Sequence, residues 1–172
     1  MAVGLTARGR EEARLLGAQL RTQSLDLCVT SEFQRARETA DLALEGREVP
    51  RVVDRRLNDP LIGRYEGGEL ETYRAWASGA PSSAAPEGGG ESRLAIVRRY
   101  AQAFGDLAAR PEDSILVVCH SLPVSYALGA REGTPPGVRV PMAEHATPYR
   151  FTGQELAAVA ALLEEWAANP TW

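Results

Sequence analysis

An α/β sandwich with a mainly parallel sheet is the fold class that this chain predicts, on three observations. Short apolar runs alternate with amphipathic segments of helical period along its length. The strongest run, Ile115–Cys119, is continuously apolar, as in a strand buried on both faces of a parallel sheet. At 172 residues, the chain is long enough for one domain, which at that size buries roughly 70% of its unfolded surface. The expectation is therefore a single domain over residues 1–172, with three layers and helices on both sides of the sheet.

Each element has its own signal. Thr6 is suited to N-cap a helix over Ala7–Gln23, with Leu15, Leu16 and Leu20 as its apolar stripe. Leu25–Thr30 reads as a short buried strand. Ser31 and Gln34 form an S-x-x-Q capping-box pattern that would start a helix running to about Leu44. Val49–Asp54 is a second short strand, Leu57–Gly68 is turn-rich, and Glu69–Trp76 is helical. Gly79–Gly90, rich in Gly, Ala, Ser and Pro, reads as a surface loop and not a linker between domains. A long helix starts at Glu91 or Ser92 and runs to Ala109, with Leu94, Val97, Ala101, Phe104 and Leu107 on one face. Ile115–Cys119 follows as a strand, then a helix after His120. Arg139–Phe151 is expected to hold an edge strand or hairpin, interrupted by Pro141 and Pro148. Thr152 and Glu155 form a second capping box, for a final helix to about Ala168.

Composition narrows the function. The formal charge is −4 and the basic residues are all arginine. That excludes the broad basic field of a general nucleic-acid binder but permits a local basic pocket. No apolar run reaches the about 20 residues that span a bilayer, and no signal peptide opens the chain, so a cytoplasmic location is expected. Cys28 and Cys119 both sit in apolar strand-like runs and are expected to be buried free thiols.

Three places carry chemistry. After the strand ending at Thr30, Ser31 precedes a helix whose first-turn N–H groups and dipole favour an anion. Arg35 lies at the start of that helix, where its guanidinium can fork onto phosphate oxygens. Arg35, Arg37 and Glu38 equally suit a solvated helix face. His120 stands at the carboxyl end of the best strand, where open α/β sheets bind ligands; a satisfied structural histidine fits the same position. Asp59, within Leu57-Asn58-Asp59-Pro60, is a candidate general acid, although a carboxylate before proline is ordinarily a turn former. His145, the other histidine, reads as a surface or rim residue. The spacing of histidines and carboxylates indicates no metal site, and no cofactor is implied.

Taken together, these segments resemble the histidine phosphatase superfamily, the phosphoglycerate mutase-like proteins. Gly4–Ala13 resembles the family's approach to its first helix. Thr30-Ser31 with Arg35-Ala36 and Thr39-Ala40 resembles its phosphate-binding strand-to-helix motif. Leu57–Gly63 with Glu66-Gly67 resembles the acid-bearing loop, Gly89–Ser92 a family loop, and Val117–His120 the strand bearing the second active-site histidine. The resemblance implies a phosphoglycerate mutase-like fold and a metal-independent reaction through a phosphohistidine. Arg35, Ser31 and His120 would hold phosphate, and Asp59 would act as the acid. The short Gly67–Ser92 region favours a phosphatase of small phosphorylated metabolites over the mutase branch.

The departures are specific. The family opens with a strand carrying Arg-His-Gly, whose histidine accepts the phosphoryl group. Here only Met1–Gly4 precede the matching segment, so the first strand and the nucleophile are missing and the chain reads as N-terminally truncated relative to the family. Asp59 stands where the family usually has Glu, and Ser121 where Gly is common. Two readings remain open: a phosphatase inactive as given, or a catalytically inactive phosphoester-binding or interaction protein on the same fold. A vacant sheet position would favour a homodimer or strand exchange.

Overall fold

Thr6 opens the first helix. Its hydroxyl accepts the Gly9 N–H at 3.1 Å, and α1 runs Ala7–Leu20. The computed structural model, which describes residues 3–172, ends this helix short of the expected Gln23. The last carbonyls explain why. Leu20 O accepts the Gln23 N–H at 3.0 Å and Arg47 Nη1 at 2.9 Å, and Gln23 O accepts Arg47 Nη2 at 2.6 Å. A turn and a guanidinium thus satisfy the end of the helix without further coil.

The chain gathers into two compact units. The first takes the described residues up to Asn58, with Arg110–Ser121 and Ala143–Arg150. Its sheet is three parallel strands, β1 (Leu27–Thr30), β2 (Arg51–Val53) and β3 (Ile115–Val118), in the order β2-β1-β3. Register pairs Thr30 with Val53 on one side and with Val118 on the other, so the strands end together. Helix α2 (Gln34–Ala43) packs on this sheet through Ala36 and Ala40, which join Cys28, Leu44 and Val118 in one apolar cluster. Leu16, Leu20 and Ala43 form a second cluster between α1 and α2. The two helices approach closely at Gly17, where a Cβ would lie 2.8 Å from the Ala43 carbonyl oxygen.

Two expectations change here. Ile115, Leu116 and Val117 are only half-buried, and Val118 alone is buried in β3, because β1 is its one strand neighbour among the described residues. Arg139–Phe151 forms no strand. Pro141 and Pro148 remove ladder donors, and the segment is held by scattered bonds such as Ser121 Oγ to Ala143 O at 3.1 Å.

Glu38 of α2 holds the chain entering α1. Its carboxylate accepts the Leu5 N–H at 2.7 Å and Gln34 Nε2 at 2.7 Å. The Leu5 amide first, then Gln34 and Arg10, hold this carboxyl below the ordinary glutamate range. A depressed folded-state value stabilises above the unfolded value, about pH 4.3, and the contribution disappears as pH falls through the folded one. Protection of the Leu5 amide from hydrogen exchange is therefore expected to fall below about pH 4. In Glu38→Gln, whose amide oxygen still accepts, it is expected to be flat with pH.

The second unit comprises Asp59–Ala109, Leu122–Met142 and Phe151–Trp172. Its elements are α3 (Leu70–Gly79), α4 (Arg93–Ala108), α5 (Ser121–Arg131) and α6 (Gly153–Ala168). Ser92 caps α4 by accepting the Ala95 N–H, and the Thr152–Glu155 capping box opens α6 as the sequence predicts. The buried stripe of α4 is Ile96, Val97, Tyr100, Ala101, Ala103, Phe104 and Leu107; Leu94 is only half-buried. It packs on α6, which buries Val159, Ala160, Leu163 and Ala167. Arg93 is also buried, and donates to the carbonyls of Ala77 and Ala80 at the end of α3. Cations are favoured at that end of a helix. Gly63 needs its positive φ of 56°, and a Cβ there would come within 2.2 Å of the Glu87 oxygen. Among the described residues no helix is long and apolar enough to cross a membrane.

Candidate phosphate site

The site begins where β1 ends. Parallel pairing aligns Thr30 with Val118, so the residues that follow each strand emerge side by side. Ser31 N–H donates to Val118 O at 3.1 Å, one step past the ladder. This places Ser31 beside His120: Ser31 Oγ lies 2.8 Å from His120 Nε2. Ser31 is fully buried and His120 is 8% exposed.

Ser31 is not the helix cap that the S-x-x-Q pattern predicts. The N-cap of α2 is Phe33, and no side chain caps that end. The Ser31 hydroxyl is engaged by His120 and accepts the Phe33 N–H at 3.4 Å. The helix opening keeps its partial positive charge, with no side-chain cap bond to offset it.

Arg35, one residue into α2, turns back over the same ring. Its Nη2 lies 3.1 Å from His120 Nδ1, and its guanidinium carbon sits 4.4 Å from the centre of the Phe33 ring. Phe33 meets His120 edge-on, with centroids 4.9 Å apart at 74°. Phe33 thus restrains both the cation and the imidazole; the sequence offered no polar signal for it.

These contacts assign the histidine's tautomer. A guanidinium only donates, so Nδ1 accepts from Arg35. The ring hydrogen of the neutral imidazole then lies on Nε2 and is donated to Ser31 Oγ. The opposite tautomer would make Ser31 and His120 a nucleophile and its base. In this form Nε2 cannot take the serine proton, so Ser31 and His120 are not arranged as a nucleophile and its base.

A second layer lies behind Ser31. Glu32 N–H donates to Asn58 Oδ1 at 3.0 Å, and Asn58 Nδ2 donates to Glu32 Oε1 at 2.9 Å. Arg55 Nε sits 2.7 Å from Glu32 Oε2. Glu32 and Asn58 were not singled out from sequence. A carboxylate after the strand-end serine and an amide before the candidate acid were the available signal.

Asp59 is half-buried and belongs to the second unit. His145 is exposed, and its carbonyl accepts the Thr147 hydroxyl at 3.2 Å. Neither cysteine is in a disulfide: Cys28 is buried, which pushes its thiol up to about 11, whereas Cys119 is only half-buried. Among the described residues no three His, Cys, Asp or Glu side chains are grouped to hold a metal ion.

Ser31, Arg35 and His120 thus converge from two strand ends and one helix start. Residues 1–147 match the family model of the histidine phosphatase superfamily, branch 1. The chain belongs to that superfamily. It is 34% identical over 125 residues to the adenosylcobalamin/α-ribazole phosphatase of Salmonella typhimurium, a match covering 67% of this chain and 61% of that protein. The chain therefore spans about three-fifths of the length of this relative. Among solved structures it resembles the α-ribazole phosphatase from Shigella flexneri. That likeness has a TM-score of 0.69 and 30% identity, covering 78% of this chain and 70% of that one. It also resembles Bacillus stearothermophilus YhfR, with a TM-score of 0.67 and 28% identity over 88% of this chain and 76% of the other. The phosphoglycerate mutase-like α/β fold expected from sequence is the fold observed.

Proposed function

We propose that this histidine phosphatase-family chain holds a phosphomonoester of a small metabolite at Arg35 and His120, with Ser31 orienting the imidazole. The observation that carries the reading is the Ser31–His120–Arg35 arrangement at the uncapped start of α2. A planar guanidinium, a strand-end imidazole and a helix opening are three independent attractions for one anion.

Ser31 acts on His120, because its oxygen accepts the Nε2–H and so fixes the ring. His120 meets the ligand through Nδ1, the nitrogen facing Arg35. A bond from Nδ1 to a phosphoryl oxygen needs one hydrogen between them. The ring supplies it when doubly protonated, or the phosphate supplies it as its monoanion.

Hydrolysis through a phosphohistidine requires an attacking imidazole in line with the leaving oxygen. Within the 172 residues the histidines are His120 and His145, and neither takes that role: His120 is engaged on both ring nitrogens and His145 is exposed. The chain as given therefore binds and does not turn over. Supplied with an Arg-His-Gly strand, it becomes a metal-independent phosphatase, with Asp59 protonating the leaving alkoxide and then activating water.

The test is calorimetry with inorganic phosphate, alongside release of nitrophenol from p-nitrophenyl phosphate. Heat of binding with no release above buffer is expected for the chain. Turnover is expected once an upstream Arg-His-Gly segment is added, and it should disappear on His120→Ala. Absence of phosphate heat, or an inert extended protein, would overturn the corresponding half of the reading.

A further inference from the structure

We propose that Asn58 is a positioning residue that sets the Ser31–His120 pair. It does so by locking the peptide that follows Ser31, without touching the ligand. The inference rests on the phosphate-site reading above and extends it to a residue that the reading does not use.

The geometry is a two-sided lock. On the N-terminal side of Ser31, its own N–H is tied to Val118 O at 3.1 Å. On the C-terminal side, the next N–H, that of Glu32, is tied to Asn58 Oδ1 at 3.0 Å. The peptide planes on both sides of Ser31 are thereby fixed, which fixes its backbone dihedrals and the direction of its Cβ. The hydroxyl is left one rotor, and at 2.8 Å from Nε2 it has a partner that selects one position. Without the Asn58 bond, the Ser31–Glu32 peptide can rotate and carry the hydroxyl off the imidazole.

Asn58 is itself oriented. An amide presents an acceptor and a donor on opposite corners. Its Oδ1 faces the Glu32 N–H, and its Nδ2 faces the same residue's carboxylate at 2.9 Å. The reciprocal pair fits one way round only. An aspartate at position 58 would keep the acceptor but set two carboxylates against each other. Other charges near this pair are Arg55, on the far oxygen of Glu32, the Asp54–Arg56 ion pair at 2.8 Å, and Asp59, which follows Asn58 in the chain. Arg55 is 84% exposed, so it does little to offset a second, half-buried negative charge.

The experiment compares Asn58→Asp, Glu32→Gln and the double variant with the parent. It uses sulfate as the anion, because sulfate does not titrate in the range studied. In Asn58→Asp, sulfate affinity relative to the parent at the same pH is expected to fall on the order of tenfold at about pH 7.5, and the ratio to return towards one as pH falls through about 5, when one carboxyl takes a proton. Adding Glu32→Gln is expected to restore affinity at neutral pH. The glutamine side-chain amide then donates to the carboxylate introduced at position 58, so donor and acceptor have changed sides. A residue that only stabilised the fold would show neither the recovery with pH nor the rescue by exchange.

The second readout is the nitrogen NMR signature of the His120 ring without any anion. Nε2–H and bare Nδ1 are expected in the parent and the double variant, and a mixture of tautomers in Asn58→Asp. An unchanged ring signature in Asn58→Asp, or a loss that Glu32→Gln does not rescue, would overturn the proposal. If the parent binds no sulfate while the ring signature shifts and is rescued, the positioning role stands and the phosphate-site reading fails.

Discussion

Arg35→Ala is expected to weaken inorganic phosphate binding by about 30-fold to 1,000-fold, measured by calorimetry near neutral pH. Hydrogen bonds to a charged group contribute about 1.5–3 kcal/mol each, and a guanidinium offers two in parallel to a phosphate. Part of that gain is offset in the free protein, where Arg35 already donates to His120 Nδ1 and lies over Phe33. The lower end of the range corresponds to one effective bond lost and the upper end to two. Arg35→Lys is expected to recover only part of the loss, because an ammonium cannot fork onto two oxygens in parallel. The melting temperature is expected to change little, since Arg35 is half-buried and its partners remain packed. A phosphate affinity unchanged in Arg35→Ala would mean that the anion, if bound, is held elsewhere.

The residues of this site were legible one at a time, because each occupies a position with a general meaning. His120 follows the most apolar run, Arg35 opens a helix, and Ser31 links a strand to that helix. What each does with the others was not legible. The S-x-x-Q pattern reads as a cap because Ser and Gln are local in sequence. The decisive partner of Ser31, His120, is 89 positions away and at 2.8 Å. A local motif lost to a non-local bond, as happens where a polar side chain has two competing partners. Phe33 was missed because an aromatic side chain beside a strand looks like core. Here it faces a cation and an imidazole.

The fold was legible where periodicity was long. The helices α4 and α6 came out to within a residue or two of their expected ends, and the Thr152–Glu155 box is present. The stripe of α4 is buried as read at Val97, Ala101, Phe104 and Leu107, and differs only at its first residue. Leu94 counted as apolar, yet Arg93 is the buried residue, because two carbonyls at the end of α3 give its guanidinium partners. No hydrophobic pattern signals a buried arginine. Segment 139–151 was expected to hold an edge strand or hairpin interrupted by its prolines, and strands need neighbours: β3 is paired on one side by β1, and the 139–151 residues pair with no strand among those described.

Tyr100→Ala is expected to destabilise the second unit by about 3–5 kcal/mol, and it tests whether the α4 stripe carries that unit. Tyr100 is fully buried at the middle of α4. Its ring stacks on Phe104 with centroids 6.3 Å apart, meets Tyr126 edge-on at 6.0 Å, and lies under the Arg99 guanidinium at 4.8 Å. Removing it deletes the apolar transfer term and opens a cavity between two aromatic rings, which are too rigid to collapse into it. At about 2–4 °C per kcal/mol for a chain of this size, the melting transition should drop by roughly 10 °C. Tyr100→Phe keeps the ring and is expected to cost no more than about 1.5 kcal/mol, the value of one hydroxyl hydrogen bond. The difference between the two variants separates packing from polarity. A small effect of Tyr100→Ala would mean that α4 and α6 close over the gap through their alanines, and that the stripe is held by helix approach more than by its aromatic residues.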